Sequence, residues 1–353
     1  MMLTHGGKLI YFAKKYQITE SDWLDLSTGV SPFTYPCQTV DISVWNRLPE
    51  NDDGLELAAE NYYGCAQLLA IAGSQAGIMC LPEIITKLRS VSGQKSKQSI
   101  VALPAIGYQE HQHAWHGQSE HWQRQFYQEQ PSSSDLEQAD VLVVINPNNP
   151  TGKLIDCALL VKWQTQLAQR GAYLIVDEAF VDCSPQQSLL SYYNDDLPEN
   201  LIVLRSVGKF FGLAGARVGF LFASLTIREL VANKLGPWTI SGPSRQIVKS
   251  ALNDHAWQLT MREQLQASSQ QLRWLLTQFF AETMITGTDL FQRVSLSTNN
   301  AKILHQQLCE QGILTRLCDE LDAIRFGLPK NNEEFERLEQ ALQLSLTSGF
   351  SQR

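Results

Sequence analysis

The chain has 353 residues, of which 44% are hydrophobic and 18% are charged, an ordinary composition for a globular protein. This length favours two domains, or one large domain with an appendage. The formal net charge is −8, and no lysine or arginine cluster stands out. These charges argue against binding to nucleic acid or to an anionic membrane surface.

The seven cysteines are odd in number, scattered, and never spaced as C-x-x-C. This pattern favours a reduced chain over a disulfide framework or a zinc site. The first residues contain no apolar core of signal-peptide length, and no apolar run reaches the roughly 18 residues that a membrane span requires. The sequence therefore predicts a soluble, cytoplasmic protein.

Predicted strands and helices alternate through the middle of the chain. Strands are expected at SIVALPA (99–105), at the start of DVLVVINPNNPTG (140–152), where Asn and Pro break the run, at AYLIVDEAF (172–180) and at LIVLRS (201–206), with an amphipathic helix over 154–169. This alternation predicts an α/β fold whose largely parallel sheet is covered by helices on both faces.

The C-terminal part has a different pattern. A long helix is expected from about residue 246 to 280, followed by a strand in FQRVSLS (291–297) and a closing helix over 332–346. We therefore expect a large domain over residues 44–243 and a smaller α+β domain over 244–353. The N-terminal segment, residues 1–43, is expected to contribute to the small domain and to the active site.

Distinctive polar residues follow three of the predicted strands. Asn149 comes after DVLVVIN, Asp177 follows AYLIV, and Lys209 lies just past LIVLRS. Ligands of open parallel sheets bind beyond the carboxyl ends of the strands, so these side chains are expected to converge on one crevice. Taken singly, a tight turn, a helix cap and a lysine that reaches solvent would explain the three residues. Their combination favours a binding site.

The stretch IAGSQAGIMCLPEII (71–85) places a small-residue turn ahead of an apolar helix. Backbone N–H groups and the helix dipole at such a start bind anions, and Ser74 adds a hydroxyl group. Ser206 and Arg217 lie close to Lys209 in the sequence and can turn toward the same anion. A phosphate group is the expected ligand.

These segments together resemble the fold-type I pyridoxal-phosphate enzymes, the aspartate aminotransferase superfamily. The matching pieces, in the family's order, are AGSQAG, Tyr108, NPNNPTG, VDEAF, SVGKFFGLAGARVG and a late arginine in AIRFGLP. The resemblance implies a large domain with a mainly parallel sheet flanked by helices, a smaller α+β domain, and a homodimer. It implies pyridoxal 5′-phosphate as the cofactor.

The resemblance also implies the role of each site residue. Lys209 bonds covalently to the cofactor aldehyde, and Asp177 pairs with the protonated pyridine nitrogen. Asn149 donates to the ring oxygen, and Tyr108 stacks on the ring. The cofactor phosphate is held by Ser74, Gln75, Ser206 and Arg217.

Lys209 is followed by Phe210 and Phe211, so it is expected to lie in an apolar environment. Such an environment disfavours the ammonium form and favours imine chemistry. In a decarboxylase the same lysine is the expected proton donor to the carbanion that remains after CO₂ leaves.

Within the superfamily the chain is most similar to the cobalamin-biosynthetic threonine-phosphate decarboxylases, through residues 5–36, GPWTISGP (236–243) and IRFGLP (324–329). Such enzymes convert L-threonine O-3-phosphate to (R)-1-amino-2-propanol O-2-phosphate. The resemblance implies that Arg325 binds the substrate carboxylate as a bidentate pair. The further substrate contacts that it implies are His5, Gly6, Gly29, Asn149 and Arg316.

Two positions depart from the family pattern. Many relatives have an Arg-Tyr-Pro segment whose tyrosine reaches the cofactor phosphate of the neighbouring subunit, whereas here RLPE (47–50) places Leu48 at that position. The tyrosine that usually follows DEA is Phe180, which leaves the ring oxygen with one donor fewer.

Alternatives remain open at this point. A histidinol-phosphate aminotransferase uses much the same residues, because the two reactions differ in which bond at Cα stands perpendicular to the ring. A catalytically silent regulator on this fold normally carries a DNA-binding domain ahead of it, whereas Met1 leads directly into the family signature. A metal site in HQHAWHGQSEH (111–121) is disfavoured, because its histidine spacing fits no H-E-x-x-H motif.

Overall fold

The computed structural model describes residues 6–91, 98–193 and 196–347. The helices, in chain order, are α1 (Leu9–Tyr16), α2 (Ile42–Trp45), α3 (Leu55–Tyr63), α4 (Ser74–Val91), α5 (Gln109–His116), α6 (Ser133–Gln138), α7 (Cys157–Ala168), α8 (Leu190–Tyr193), α9 (Leu225–Leu235), α10 (Gly242–Asn253), α11 (His255–Thr277), α12 (Thr298–Glu310) and α13 (Asn332–Thr347). Short 3₁₀ helices lie at Glu20–Asp22, Val181–Cys183, Pro185–Gln187, Ala214–Ala216 and Glu282–Met284.

The strands, in chain order, are β1 (Leu24–Asp25), β2 (Leu68–Ile71), β3 (Ser99–Pro104), β4 (Trp122–Tyr127), β5 (Val141–Ile145), β6 (Tyr173–Asp177), β7 (Leu201–Ser206), β8 (Gly219–Phe222), β9 (Ile285–Thr288), β10 (Phe291–Ser295), β11 (Ile313–Leu314), β12 (Arg316–Leu317) and β13 (Ala323–Gly327). In the described part of the chain, no helix combines the length and apolar character that crossing a membrane requires.

The chain divides into two compact units. The larger unit comprises residues 35–149 and 154–258, and the smaller unit comprises residues 1–34, 150–153 and 259–353. The domain boundaries expected from the sequence, after residues 43 and 243, stay predictions.

The larger unit is built on a seven-stranded sheet in the order β2-β8-β7-β6-β5-β3-β4. Strand β8 runs antiparallel to both of its neighbours, and the pairs among β7, β6, β5, β3 and β4 are parallel. Strands β5 and β7 are buried along their whole length, as expected for strands covered on both faces. Helices flank this sheet, so the expected α/β fold is confirmed.

The smaller unit contains a four-stranded antiparallel sheet in the order β12-β13-β10-β9 and a parallel pair of β1 with β11. Helix α12 packs against α13 and β11. The predicted strand in FQRVSLS and the predicted closing helix are confirmed as β10 and α13.

Two helix predictions differ from the structure at their ends. The helix expected from about residue 246 to 280 begins earlier and is interrupted, because Asp254 separates α10 from α11 and its side chain accepts a hydrogen bond from the N–H of Trp257. The helix expected to start at Leu154 starts at Cys157. Its N-cap is Asp156, while the backbone of Ile155 bonds to the side chain of Asn146. In both cases an aspartate cap sets the boundary.

A buried ion-pair network stabilises the strands β6 and β7. The guanidinium of Arg205 donates to Glu178 Oε2 at 3.0 Å and to Ser188 Oγ at 2.8 Å, and it pairs with Asp182. The ring of Tyr63 lies 4.5 Å from the same guanidinium. Burial raises the pKa of Glu178 above its ordinary value, and the charge of Arg205 acts in the opposite direction. The carboxylates thus depend on Arg205 for compensation.

We predict that Arg205→Met destabilises the protein by about 3–5 kcal/mol, because two buried carboxylates lose their cation. Urea unfolding followed by circular dichroism measures this change. Arg273→Met is the control, since Arg273 pairs with Glu282 where both side chains are exposed. Equal unfolding midpoints for the two variants would contradict the assigned role of the network.

Candidate active site

A pocket in the larger unit lies at the carboxyl ends of β5, β6 and β7. Asp177 is the last residue of β6 and Ser206 the last of β7, while Asn149 and Lys209 follow β5 and β7 in loops. The eight residues predicted to bind the cofactor all line this pocket: Ser74, Gln75, Tyr108, Asn149, Asp177, Ser206, Lys209 and Arg217. Gly73, Ile145, Ala179 and Phe180 complete its wall. The structure therefore brings these residues together, and their individual roles stay predictions.

Lys209 sits in the loop after β7, and its Nζ lies 5.3 Å from the centre of the Phe180 ring. Phe210 and Phe211 are fully buried, and both rings pack against Trp257. The two phenylalanines thus anchor the loop in the core. The aromatic ring that faces the ammonium group belongs to Phe180.

Asp177 has a partner that was not expected. Its Oδ2 lies 2.9 Å from Nε2 of His111, and its Oδ1 accepts a hydrogen bond from the N–H of Ala179. Asp177 and His111 are 3% and 2% exposed, so the pair is shielded from water. A carboxylate held by two such partners is fixed in position.

His111 belongs to the histidine-rich segment HQHAWHGQSEH, which the sequence places on a solvated edge in preference to a metal site, but His111 itself is buried. Among the described residues, no group of three or more metal-ligating side chains is placed to hold an ion. The nearest signal for His111 in the sequence is its position three residues after Tyr108, which by itself indicates neither burial nor a partner. Helix α5 begins after Tyr108, and a residue three positions further on can project to the same side.

Tyr108 is fixed by a chain of hydrogen bonds. Its hydroxyl donates to Gln75 Oε1 at 3.0 Å, and Gln75 Nε2 donates to Glu110 Oε2 at 2.9 Å. Burial raises the pKa of Tyr108 to about 12, and the charges of Glu110 and Asp177 add to this effect. The Tyr108 hydroxyl is therefore protonated and donates a hydrogen bond at neutral pH, and this chain of hydrogen bonds fixes the orientation of the Tyr108 ring.

The start of α4 forms an anion-binding corner of the pocket. Ser74 is the first residue of this helix, so its N-terminal N–H groups point out of the helix. An added Cβ at Gly73 would lie 2.9 Å from Arg217 Nη2, and one at Gly219 would lie 2.7 Å from Ser74 N. Because neither glycine carries a side chain, the Arg217 guanidinium can lie close to Gly73, and the start of α4 can lie close to Gly219.

The smaller unit contains the remaining predicted substrate residues. Arg325 on β13 is buried, and its Nη2 donates to the carbonyl oxygen of Ser27 at 3.0 Å. Burial lowers the pKa of Arg325 to about 10, and the charge of Arg316 acts in the same direction. Gly29 is buried, whereas His5 lies outside the described residues.

Arg316 on β12 lies directly opposite Arg325, and its Nη2 pairs with Asp319 at 2.6 Å. A cavity in this unit has both Gly6 and Arg316 in its wall. On the other side of Arg325, Arg293 lies directly opposite it on β10. Three arginines thus form a row across the sheet.

Comparison with known proteins identifies the family. A model of the aminotransferase class I and II family matches residues 96–341. The chain belongs to the aminotransferase class I and II family. A threonine-phosphate decarboxylase from Pseudomonas aeruginosa is 43% identical over 341 residues, which cover 97% of each chain. A second, from a Sinorhizobium species, is 33% identical and covers 96% of this chain and 97% of the relative.

A solved structure supports the fold. The crystal structure of histidinol-phosphate aminotransferase from Sinorhizobium meliloti, in complex with pyridoxal-5′-phosphate, superposes with a TM-score of 0.77 and covers 99% of this chain and 96% of that one. The two sequences are 17% identical, so this likeness shows the fold alone.

The pocket of the larger unit fits pyridoxal 5′-phosphate, the cofactor of this family. The helix start at Ser74 together with Arg217 offers donors for a phosphate group, and both residues line the pocket. Across the pocket, the buried carboxylate of Asp177 suits a cationic ring nitrogen, and Lys209 offers an amine for an aldehyde.

We predict that His111→Ala weakens the binding of pyridoxal phosphate by about 10- to 100-fold, because Asp177 loses a hydrogen bond to its buried carboxylate. Absorbance titration of the purified apoprotein with the cofactor measures this affinity. His116→Ala is the control, since His116 is exposed on the same helix. An affinity equal to that of the unsubstituted protein would show that the pair does not serve the cofactor.

Proposed function

We propose that this protein is a pyridoxal-phosphate-dependent decarboxylase that converts L-threonine O-3-phosphate to (R)-1-amino-2-propanol O-2-phosphate. The observation that carries the proposal is the 43% identity, over 97% of both chains, to a threonine-phosphate decarboxylase. Histidinol-phosphate aminotransferase is the second candidate for the activity, because it would bind a phosphorylated amine with much the same residues.

The cofactor, when bound, supplies a ring that accepts the electron pair left on Cα when a bond there breaks. Asp177, held by His111, keeps a positive charge on the pyridine nitrogen. Ser74, Gln75, Ser206 and Arg217 hold the phosphate group, while Tyr108 and Asn149 orient the ring.

The substrate carries a carboxylate, an amine and a phosphate group. Arg325 binds the carboxylate, because a guanidinium matches its two oxygens in a bidentate pair. Gly6, Gly29 and Arg316 contribute further contacts to the substrate, as does His5. The C–C bond to the carboxylate breaks, CO₂ leaves, and Lys209 Nζ delivers the proton that completes the new C–H bond at Cα.

The proposal places the enzyme in the cytoplasm, where its product serves cobalamin biosynthesis. The seven cysteines all lie in the described ranges, and none of them forms a disulfide bond there. Cysteines without disulfide bonds are typical of proteins in a reducing compartment.

The active form is proposed to be a homodimer. An apolar patch on the larger unit, with side chains 59–79% exposed, supports it: Ile42, Trp45, Leu48, Leu57 and Trp238. These residues lie on or close to α2, α3 and α10, and α10 packs against the other two helices. Exposed apolar groups of this size, close together, are typical of a protein interface.

We predict that the purified protein with pyridoxal phosphate releases CO₂ from L-threonine phosphate without any keto acid. Lys209→Ala is expected to lose at least about 10²-fold in rate, because the proton donor is removed, and to lose the yellow absorbance of the bound cofactor. Lys302→Ala, at an exposed position on α12, is the control. Turnover of histidinol phosphate that requires a keto acid, without CO₂ release, would favour the aminotransferase.

We predict a particle of twice 39.7 kDa in sedimentation velocity, and a shift toward 39.7 kDa for Trp45→Glu. A charged residue in the apolar patch would face desolvation at the interface. Leu225→Glu is the control, because Leu225 is 60% exposed at the start of α9. A monomer for the unsubstituted protein would contradict the dimer.

A further inference from the structure

Ser27 is a buried serine whose polar groups connect two separate parts of the smaller unit. It follows β1 and is 2% exposed. Its Oγ accepts a hydrogen bond from the N–H of Gly7 at 2.8 Å and donates one to Asp25 Oδ1 at 2.6 Å. Its carbonyl oxygen accepts a hydrogen bond from Arg325 Nη2 at 3.0 Å. One residue therefore contacts both the N-terminal glycine pair and the buried arginine.

Glycines on both sides of residues 26–28 allow neighbouring backbone segments to lie directly against Ser27 and its neighbours. An added Cβ at Gly6 would collide with the carbonyl oxygen of Ser27, and Gly7 has a φ of 77° that favours glycine. On β13, the N–H of Gly327 donates to Leu26 O at 2.7 Å, and an added Cβ there would lie 2.5 Å from Thr28 O. The segment 26–28 is thus held by direct backbone contact on both sides.

Asp25 sets the direction of the Ser27 hydroxyl. Its Oδ1 accepts hydrogen bonds from both the N–H and the Oγ of Ser27, at 2.9 and 2.6 Å. Because the hydroxyl hydrogen points to Asp25, a lone pair of Oγ is available for the N–H of Gly7. Asp25 and Ser27 together therefore present one acceptor atom, Ser27 Oγ, in a fixed orientation to the N–H of Gly7.

The two groups that Ser27 joins are those proposed to bind the substrate. Arg325 must present its guanidinium in a fixed plane for a bidentate pair with a carboxylate. Gly6 lies with Ser27 and Arg316 in the wall of the same cavity. A small displacement of the segment 26–28 would alter both contacts, and substrate binding responds strongly to such displacements.

We propose that Ser27 is a positioning residue, which holds the Gly6-Gly7 backbone and the Arg325 guanidinium in the arrangement that binds the two anionic ends of the substrate. This role rests on the proposed function. It does not require that Ser27 touch the substrate, the cofactor or the reacting atoms.

Ser27→Ala keeps the carbonyl oxygen and removes both hydrogen bonds of the hydroxyl. We expect KM for L-threonine phosphate to rise about 5- to 10-fold, with kcat within about 2-fold and the absorbance spectrum of the bound cofactor unchanged. Ser269→Ala is the matched control. Ser269 is 5% exposed in the same unit, and its hydroxyl donates to Thr288 O and accepts from Gln292 Nε2. Ser269→Ala therefore also removes one donated and one accepted hydrogen bond of a buried hydroxyl.

Hydrogen–deuterium exchange tests the anchoring without any activity. In Ser27→Ala, the amide of Gly7 loses its acceptor, so the peptide over residues 6–12 is expected to exchange at least about 5-fold faster. In Ser269→Ala the same peptide is expected to exchange as in the unsubstituted protein. This readout stands even if the protein fails to decarboxylate threonine phosphate, so the two failures can be told apart.

Asp25→Ala is a second variant in case Ser27→Ala does not fold, because Asp25 is exposed and its loss leaves the hydroxyl without its acceptor. We expect the same direction of change in KM and in exchange. An unchanged KM in a folded variant whose peptide exchanges faster would overturn the positioning role. So would an equal rise in KM for Ser269→Ala, or unchanged exchange in both Ser27→Ala and Asp25→Ala.

Discussion

The buried ion pair between Arg205 and Glu178 is the constraint on which the pocket of the larger unit depends. Arg205 directly precedes Ser206 on β7, and Glu178 directly follows Asp177 at the end of β6. Successive side chains of an extended strand point to opposite sides, so the ion pair lies in the core while Asp177 and Ser206 line the pocket. Displacement of one strand along the other would leave a buried charge without its partner, at a cost of several kcal/mol. The pair thus fixes the relative position of two site residues on neighbouring strands.

Much of this pocket could be predicted from the sequence, because the signal is simple. Apolar runs such as VLVVI (141–145) mark buried strands, and parallel strands bring their carboxyl ends to one edge of the sheet. The three polar residues after those runs, Asn149, Asp177 and Lys209, therefore had to converge, and all three line one pocket. The predicted ends of the helices were less accurate. Asp156 and Asp254 each cap a helix, and a single capping side chain determines where a helix begins more strongly than the apolar periodicity does.

The partners of the site residues could not be predicted, since they come from distant parts of the chain. His111 meets Asp177 across 66 positions, and Ser27 meets Arg325 across 298. Nothing in the sequence distinguishes His111, which is buried, from the other histidines beside it, and a serine near a turn such as Ser27 often only bonds to its own backbone. The fold is needed to show that His111 faces Asp177 and that Ser27 faces Arg325. The motif residues line the pocket and have a recognisable chemistry, whereas the residues that hold them act through geometry alone.

The arginine row of the smaller unit concentrates positive charge, which agrees with the proposal of a doubly anionic substrate. Arg316, Arg325 and Arg293 are direct neighbours across three antiparallel strands, so their side chains share one face of the sheet. Like charges in this arrangement are unfavourable, and Asp319 and Asp322, in the loop between β12 and β13, offset the two outer arginines. Both aspartates are partly exposed, so water screens this compensation. In the proposed complex, a carboxylate and a phosphate group would add negative charge where the sheet carries three aligned arginines. Their attraction to the arginines would offset the repulsion that these arginines have in the free protein.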